Sequence, residues 1–484
     1  MGRPDVVVTG ILGTIDRGEG LLGLLLTTGA WFCDAVQRSR AVPSHLTSHP
    51  AHQMRDRRHF LATATTIGAA VALGARTSDA QSGHDDSGQS ATDLPPAMRA
   101  LTPMKDGVVP ISVAERQGRL EKARRLMREQ GVDALMLTGG TSMVYFTGIG
   151  WGISERILAA FIPVNGRPFL VTPKFEEERA MEQVALGPMA GGADVYAWEE
   201  SEDPYALIAN GLRSRGLVAA TIAVEETVRW QFSNGVSKLP AMRVTDGTPI
   251  TAGCRMVKDA HEVALMRHAC AVTLRAYEAA YKSLKAGMTQ SDFAALVSLA
   301  HTRLGYSGSA GLQVGKYSAL PHGSATPQVV SEGSILLMDG GCKVEGYSSD
   351  ISRTFVLGKA TQRMKDVFEI EHRAQRAALA AARPGLACEA VDAAARKVIV
   401  DAGFGPDYKY FSHRVGHGMG MDGHEWPYLV RGNKRLLEPG MVFSDEPGIY
   451  IPGEFGIRLE DDMVITESGA ELFTPQSESL EKPF

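Results

Sequence analysis

The sequence predicts an α/β domain followed by a larger α+β domain that is built from two related halves. The chain has 484 residues, which is enough for two domains and an N-terminal leader. Helix and strand patterns alternate between residues 111 and 250, as in α/β domains. From residue 251 onward, one arrangement of glycines and helices occurs twice with a period of 98 residues. We therefore place the domain boundary at residue 250.

Composition excludes several classes of protein. Apolar residues make up 44% of the chain and charged residues 22%, which is typical of a soluble globular protein. The net charge of -5 gives no indication of a nucleic-acid partner. The five cysteines are dispersed without CxxC spacing, so we expect free thiols rather than a zinc knuckle or a disulfide framework.

The N-terminal residues do not have the pattern of a folded domain. Residues 54–80 begin with a basic segment containing Arg57 and Arg58, continue through an Ala/Gly/Thr-rich stretch and end in small residues. This layout resembles a twin-arginine export signal and predicts a periplasmic or secreted protein, the alternative being a chance arginine pair in a basic helix. If residues 54–80 are an export signal, residues 1–53 are an extension that results from the choice of start codon. Their apolar patch is too short to span a bilayer, so we expect no stable membrane insertion.

The α/β domain is predicted to follow a linker. Residues 81–110 are rich in Ser, Asp, Gly and Pro, as in solvated linkers. A charged amphipathic helix at 115–130 and a buried strand at 134–137 begin the domain. Two apolar runs around Asn165-Gly166 predict a hairpin, and helices follow at 176–184 and 204–215.

Two aromatic side chains of this domain are candidates for a substrate pocket. Tyr145 and Trp151 belong to the glycine-rich segment MVYFTGIGWG. Packing in the core is the alternative explanation for both.

The second domain contains the repeated arrangement. Gly287 and Gly305 flank a predicted helix, and Gly385 and Gly403 flank another at the same separation of eighteen residues. Such a period suggests a duplicated half-domain with pseudo-twofold symmetry. A site between the halves would draw side chains from both.

An acid pair in the first half indicates a cation. Asp339 and Asp350 are eleven residues apart, each beside β-forming residues, with a glycine-rich turn between them. Two antiparallel strands would bring both carboxylates to one point. Since two close carboxylates cannot both stay ionised in an apolar core, a bound cation would stabilise them. Alternatively, each Asp caps a turn.

The second half supplies further metal-binding side chains. His417, Glu446 and Glu460 lie in segments with strand and turn patterns, and together with the two aspartates they give four carboxylates and one imidazole. Alone, a histidine in a glycine-rich turn or a glutamate before Pro-Gly is usually a loop residue. The combined set suits Mn, Co, Fe or Zn. Its charge would be balanced by two divalent ions, which could hold a bridging hydroxide.

These motifs resemble those of a known family. The segments GYSSDISRTF, SDEPGIY and GIRLEDD, with the order Asp, Asp, His, Glu, Glu, resemble the pita-bread metallopeptidases: aminopeptidase P, prolidase and methionine aminopeptidase. The resemblance covers residues 251–484. Residues 111–250 are similar to the creatinase-like N-terminal domain of the aminopeptidase P and prolidase branch.

The resemblance implies roles for individual residues. Asp350 and Glu460 are expected to bridge two divalent ions, with manganese expected first and cobalt, zinc or iron as alternatives. The implied metal ligands are Asp339, Asp350, His417, Glu446 and Glu460; the implied catalytic residues are His322 on the substrate side, His424 at the scissile amide and Glu446 as proton carrier; His413 and Arg458 are implied to orient the ligands.

The implied activity is hydrolysis of the Xaa-Pro bond in dipeptides or at the N-terminus of peptides, by a metal-bridging hydroxide. Trp426 and Tyr428 are candidates for the pocket wall. However, MDGHEWPYL replaces the DVHD-like string of aminopeptidase P and prolidase, and looks closer to methionine aminopeptidase. The partners would be short proline-containing peptides, and the family implies a homodimer or homotetramer.

One question of specificity stays open at this point. Strict dipeptide cleavage requires a cation that holds the product-side carboxylate. Arg431, Lys434 and Arg435 lie in the expected loop, but a solvated charge cluster is the alternative.

Three other functions occur on this fold. A creatine hydrolase lacks the ligand set, so its mechanism is disfavoured. A metal-dependent dimethylsulfoniopropionate lyase retains metal ligands and is not excluded by sequence. Inactive binding modules have lost their ligands, whereas no ligand type is missing in this chain.

Overall fold

The computed structural model describes residues 94–484. The predicted extension (1–53), the signal segment (54–80) and residues 81–93 of the linker lie outside this range, so those assignments stay predictions. Among residues 94–484, none of the helices has the length and apolarity needed to cross a membrane.

The described part of the predicted linker is folded onto the rest of the protein. It contains a short helix, α1 (Pro96–Arg99). The side chains of Met98 and Leu101 are buried, and the N–H of Met104 donates to the carbonyl of Leu304 at 2.9 Å. The prediction of a solvated linker is therefore wrong for this stretch, because its apolar side chains enter the core.

A six-stranded mixed sheet with helices around it forms the first region. Its elements are α2 (Val113–Gln130), β1 (Ala134–Thr138), α3 (Thr141–Thr147), β2 (Ala159–Pro163), β3 (Phe169–Pro173), α4 (Glu177–Leu186), β4 (Asp194–Trp198), α5 (Pro204–Arg213), β5 (Ala220–Val224), α6 (Trp230–Ser237) and β6 (Met242–Asp246). The strand order is β4-β3-β2-β1-β5-β6. β2 pairs antiparallel with both β1 and β3, and the remaining pairs are parallel. The predicted alternation of helices and strands is confirmed. The predicted hairpin is formed by β2 and β3.

The second region continues without a break in the chain. Its elements are α7 (Thr248–Arg255), α8 (Ala260–Tyr281), α9 (Gln290–Arg303), β7 (Gly308–Val314), β8 (Ile335–Val344), β9 (Tyr347–Ser348), β10 (Ile351–Val356), α10 (Gln362–Ala381), α11 (Cys388–Asp401), β11 (Gly416–Gly418), β12 (Glu425–Leu429), β13 (Val442–Asp445), β14 (Gly448–Ile451), β15 (Phe455–Arg458), β16 (Asp461–Ile465) and β17 (Ala470–Leu472). The predicted boundary at residue 250 falls inside α7.

The repeated arrangement in the sequence has a structural counterpart. Each half contains two helices followed by antiparallel strands, in the orders β10-β8-β7 and β12-β11-β13-β16-β17. Gly287, before α9, has φ +91° and donates to the carbonyl of Val330 at 2.8 Å. Gly385, before α11, has φ +80° and donates to the carbonyl of Leu437 at 2.9 Å. These positive φ angles favour glycine, which explains why the two positions match in sequence.

A buried polar cluster joins the two regions. Arg119 on α2 forms an ion pair with Glu262 on α8 at 3.1 Å and donates to the hydroxyl of Tyr347 at 2.7 Å. All three side chains are at least 94% buried. Because an unpaired buried charge would be costly, this cluster fixes α2 against the region that contains the second sheet.

Candidate metal centre

The two aspartates of the first half come together as predicted. Asp339 lies within β8 and Asp350 directly precedes β10, and these strands pair antiparallel with Ser352 opposite Asp339. Asp339, Asp350 and Glu460 each offer one carboxylate oxygen within 4.8 Å of the others. Glu460 directly precedes β16, so this group contains donors from both halves.

A second group of donors shares Glu460. His417 lies in the middle of β11 and Glu446 directly follows β13. Their donor atoms and an oxygen of Glu460 also lie within 4.8 Å of one another. The two groups line one cavity of about 180 Å³. The structure therefore brings all five predicted ligands around a common centre.

Hydroxyl groups and one guanidinium orient these carboxylates. The Ser352 hydroxyl lies 2.9 Å from Asp339 Oδ1 and 2.6 Å from Glu460 Oε2. Arg458 donates to the Ser352 hydroxyl at 2.9 Å and pairs with Asp339 Oδ2 at 2.6 Å. Because its side chain is 96% buried, Arg458 holds Asp339 in one orientation.

His413 reaches this network through a tyrosine. Its Nε2 lies 2.7 Å from the hydroxyl of Tyr450, which accepts a hydrogen bond from Arg458 Nη1 at 3.0 Å. Neither Tyr450 nor Ser352 is predictable as a site residue from the sequence, since a tyrosine or serine in a strand carries no signal of what it faces.

The carboxylates repel one another in this buried position. Burial, together with the charges of Asp339, Asp462 and Glu446, holds the pKa of Asp350 well above its usual value. Burial and the charge of Asp350 likewise raise the pKa of Glu460. A divalent cation between these groups would favour their ionised forms.

The imidazole and the remaining carboxylate form an ion pair. His417 Nε2 lies 3.2 Å from Glu446 Oε1. Burial opposes protonation of His417, but the Glu446 carboxylate raises its pKa overall. Burial equally opposes ionisation of Glu446, but His417 lowers its pKa to about 2. Since a histidine ligand must be neutral, a bound cation would favour the deprotonated imidazole of His417.

The donor set suits divalent cations. Hard carboxylate oxygens and imidazole nitrogens form two groups of three that share Glu460, and a third group joins Asp350 and His417 to His424. Among residues 94–484, the cysteines are buried and none belongs to these groups. A sulfur-bound metal is therefore not indicated at this cavity.

The two predicted catalytic histidines lie at the rim of the cavity. His322 and His424 both line it and both are exposed. The His424 ring stacks on the His417 ring with centres 3.7 Å apart. Partial desolvation of the ring at the cavity rim and the positive charges of His417 and Arg414 lower the pKa of His424, so a neutral imidazole is available as a hydrogen-bond donor.

The predicted pocket residues do not line this cavity. Trp426 and Tyr428, whose ring centres are 4.5 Å apart, line a neighbouring cavity of about 200 Å³ that also includes His424. Tyr145 is buried, and its hydroxyl donates to the carbonyl of Cys254 at 3.1 Å. The guanidinium carbon of Arg179 lies 4.5 Å from the ring centre of Trp151. Tyr145 is therefore a core residue rather than a residue of a substrate pocket, because its hydroxyl already has a partner inside the core.

A buried ion pair supports the loop that carries His413 and leads to His417. Asp392 and Arg396, one turn apart on α11, are joined by two hydrogen bonds of 2.9 Å. Arg396 also donates to the carbonyl of His413 at 2.8 Å, and Asp392 accepts from the N–H of Val415 at 3.0 Å. The i,i+4 spacing is visible in the sequence, but the backbone groups that the pair binds are not.

Comparison with known proteins gives a consistent result. The family model described as metallopeptidase family M24 matches residues 264–467, and that of the creatinase/prolidase N-terminal domain matches residues 119–257. The chain is 34% identical to an Xaa-Pro dipeptidase of Lactobacillus delbrueckii subsp. lactis over 75% of this chain and 98% of the relative. It is 36% identical to a probable dipeptidase PepE of Mycobacterium tuberculosis over 73% of this chain and 92% of the relative.

Solved structures agree with these matches. The crystal structure of dipeptidase PepE from Mycobacterium ulcerans has a TM-score of 0.72 at 33% identity. The match covers 77% of this chain and 99% of the PepE chain. A recombinant prolidase from Thermococcus sibiricus has a TM-score of 0.68 at 27% identity, covering 74% of this chain and 97% of its own. The predicted two-region architecture, with the pita-bread fold in the second region, is thereby confirmed.

Proposed function

The chain belongs to metallopeptidase family M24, and from this membership we propose that it hydrolyses the Xaa-Pro bond of short peptides with two divalent cations. The observation that carries the proposal is the meeting of donors from both halves, Asp339 and Asp350 with His417, Glu446 and Glu460, around one cavity that three further histidines also line.

Metal binding is proposed for the two donor groups. Asp339, Asp350 and Glu460 would hold one ion, and His417, Glu446 and Glu460 would hold the other. Manganese is our first candidate. When bound, two such ions supply a hydroxide nucleophile at neutral pH and a Lewis acid for the scissile carbonyl.

The remaining steps use the protein's own side chains. Glu446 lies on the cavity wall within 3.2 Å of the Ser444 hydroxyl, and we assign it the proton that the attacking water loses and the leaving nitrogen gains. His424 donates a hydrogen bond to the carbonyl oxygen as negative charge develops there. His322, on the rim, contacts the substrate. Arg458 keeps Asp339 oriented during the cycle.

Proline changes which hydrogen bonds the site has to provide. The Xaa-Pro bond is a tertiary amide without an N–H group. A site for it needs no hydrogen-bond acceptor at that position. Names of the relatives, Xaa-Pro dipeptidase among them, support the choice of bond.

The activity can be tested with the purified full-length protein. We expect Mn²⁺-dependent cleavage of Ala-Pro at a rate well above that of Ala-Ala. Asp350→Ala should remove this activity, whereas Asp366→Ala, which changes an exposed acid on α10, should retain it. Failure to cleave any proline peptide with Mn²⁺, Co²⁺ or Zn²⁺ would contradict the proposal, and release of acrylate from dimethylsulfoniopropionate would identify a lyase instead.

Location and assembly are further parts of the proposal. We propose export by the twin-arginine route and assembly as a homodimer or homotetramer. Replacement of Arg57 and Arg58 by lysine should retain the protein in the cytoplasm. Light scattering of the purified protein should give a mass at least twice that of one chain.

A further inference from the structure

A buried ion cluster lies directly beside one of the histidines at the cavity rim. Arg255, the last residue of α7, pairs with Asp422 at 2.6 Å and also with Glu425. Lys258 provides a second cation, 3.2 Å from a Glu425 oxygen. Arg255, Asp422 and Glu425 line the neighbouring cavity of about 200 Å³ together with His424. None of the three has a part in the proposed reaction, so the cluster needs another explanation.

The burial of this cluster restricts the positions of its members. Arg255, Lys258 and Glu425 are each at least 93% buried. Removing ions from water costs free energy, and the attraction between the partners does little more than offset that cost. A displaced partner would leave an unpaired buried charge, which is strongly unfavourable. The cluster therefore contributes little net stability but holds its members in one geometry.

The two acids that Arg255 binds are the ends of the turn that carries His424. Asp422 lies two residues before the histidine, and Glu425 directly follows it as the first residue of β12. The N–H of Asp422 donates to Glu425 Oε1 at 3.1 Å and closes the turn. The guanidinium of Arg255 thus fixes both ends of residues 422–425 at once.

The first region holds the same turn. Thr141, at the start of α3, donates its hydroxyl to Asp422 Oδ1 at 2.5 Å. The hydroxyl of Ser142 lies 3.3 Å from Arg255 Nη1. The residues that line the catalytic cavity all lie between residues 321 and 460, so the first region reaches the histidine at its rim through this turn.

The imidazole of His424 has no hydrogen bond that orients it. Within residues 94–484, its ring stacks on the His417 ring and forms no hydrogen bond with the protein. His413, by comparison, is held by the hydroxyl of Tyr450 at 2.7 Å. The direction of the His424 ring therefore depends on its backbone, and that backbone belongs to the turn held by Arg255.

We propose that Arg255 is a positioning residue for the reaction: by holding Asp422 and Glu425, it keeps the His424 imidazole directed toward the scissile carbonyl. This inference rests on the proposed Xaa-Pro hydrolysis and adds a residue that does not itself line the catalytic cavity. Because Arg255 acts through His424 and does not touch the substrate, its loss lowers kcat more than it changes KM.

A second buried cluster provides a matched control. Arg119, Glu262 and Tyr347 also join the first region to the second, but none of them lines the catalytic cavity. Tyr347→Phe removes the hydroxyl that Arg119 and Glu262 share. It should lower the melting temperature, because hydrogen bonds to charged groups are lost, and should leave kcat within about twofold of the wild-type value.

A double variant separates positioning from a general effect on the fold. Arg255→Gln should lower kcat for Ala-Pro about tenfold, with KM changed less than about threefold and metal content unchanged, because displacement of a donor by about 1 Å removes much of its effect. In the His424→Ala background, the same change should lower kcat by less than about twofold, since the group it positions is already absent. Arg255→Lys should restore part of the loss because it keeps the charge beside both acids.

The exposed edge of the cluster tests the same contacts with less risk to the fold. The side chain of Asp422 is 41% exposed. Asp422→Ala removes its contacts with Arg255 and Thr141, and it should also lower kcat about tenfold when His424 is present and by less than about twofold when His424 is replaced by alanine. Circular dichroism and the melting temperature of each variant report on the fold, and elemental analysis reports on the metal centre.

The outcomes distinguish the two proposals. If the wild-type enzyme cleaves no Xaa-Pro peptide, the proposed function fails, and the inference that rests on it fails too. If the wild-type enzyme cleaves Ala-Pro but Arg255→Gln and Asp422→Ala lower kcat by the same factor with and without His424, Xaa-Pro hydrolysis stands and the positioning role of Arg255 is refuted. The same holds if neither variant changes kcat, or if Tyr347→Phe lowers kcat as much as they do.

Discussion

Asp392→Asn tests how the metal-binding loop is supported. In the native protein, Asp392 neutralises Arg396 through two hydrogen bonds of 2.9 Å and accepts from the N–H of Val415. Only 1% of Asp392 and 4% of Arg396 are exposed. The asparagine keeps the shape of the side chain but leaves a buried guanidinium without its counter-charge.

The expected loss can be worked out from these contacts. Removing one partner of a buried ion pair costs about 3–5 kcal/mol. Arg396 keeps the carbonyls of Phe411 and His413 as partners, each at 2.8 Å, so we expect the lower end of that range. Because the loop leads to His417, metal affinity should also fall about tenfold.

The same helix provides a matched control. Lys397 and Asp401 form a second i,i+4 ion pair at 2.6 Å, but their side chains are 73% and 61% exposed. Asp401→Asn should therefore cost no more than about 0.5 kcal/mol and leave metal affinity unchanged. Urea denaturation and Mn²⁺ titration of both variants check this. Equal losses of stability in the two variants would refute the assigned role of Asp392.

Three further predictions concern the metal centre. His424→Ala should lower kcat about 10²- to 10³-fold with unchanged metal content, because a hydrogen-bond donor to the developing oxyanion is lost; steady-state kinetics and elemental analysis check this. Asp350→Ala should abolish metal-dependent activity while circular dichroism shows that the protein stays folded. In the protein without cations, Asp350 and Glu460 have raised pKa values, so the folded state binds protons more tightly than the unfolded state. Stability with EDTA should thus fall as the pH rises above the usual values of 3.8 and 4.5, and Mn²⁺ should raise the melting temperature more at pH 7 than at pH 5.

Much of the site could be predicted because its signals are local in sequence. Asp339 and Asp350 flank a glycine-rich turn between β-forming runs, and such a segment folds into an antiparallel pair with few alternatives. The repeat of Gly287 and Gly385 follows from backbone angles that favour glycine, so duplication left a visible mark. Donors from both halves could therefore be expected to meet.

Other features depend on contacts between distant residues and left no such mark. Asp392 and Arg396 have the same i,i+4 spacing as the exposed ion pair on the same helix. The two pairs differ only in that α11 packs against the loop at Asp392 and Arg396. Similarly, the polar composition of residues 81–110 indicated a solvated linker, yet two apolar side chains, Met98 and Leu101, fix part of it to the core. Burial of single side chains is decided by tertiary structure, which local composition does not contain.

The number of bound metal ions tests the central claim most directly. Elemental analysis of the purified protein after incubation with Mn²⁺ and removal of free metal should give two ions per chain. Asp350→Ala, which removes one carboxylate of the group formed with Asp339 and Glu460, should bind at most one. A wild-type protein that binds no divalent ion, or an Asp350→Ala variant that still binds two, would contradict a centre assembled from Asp339, Asp350, His417, Glu446 and Glu460.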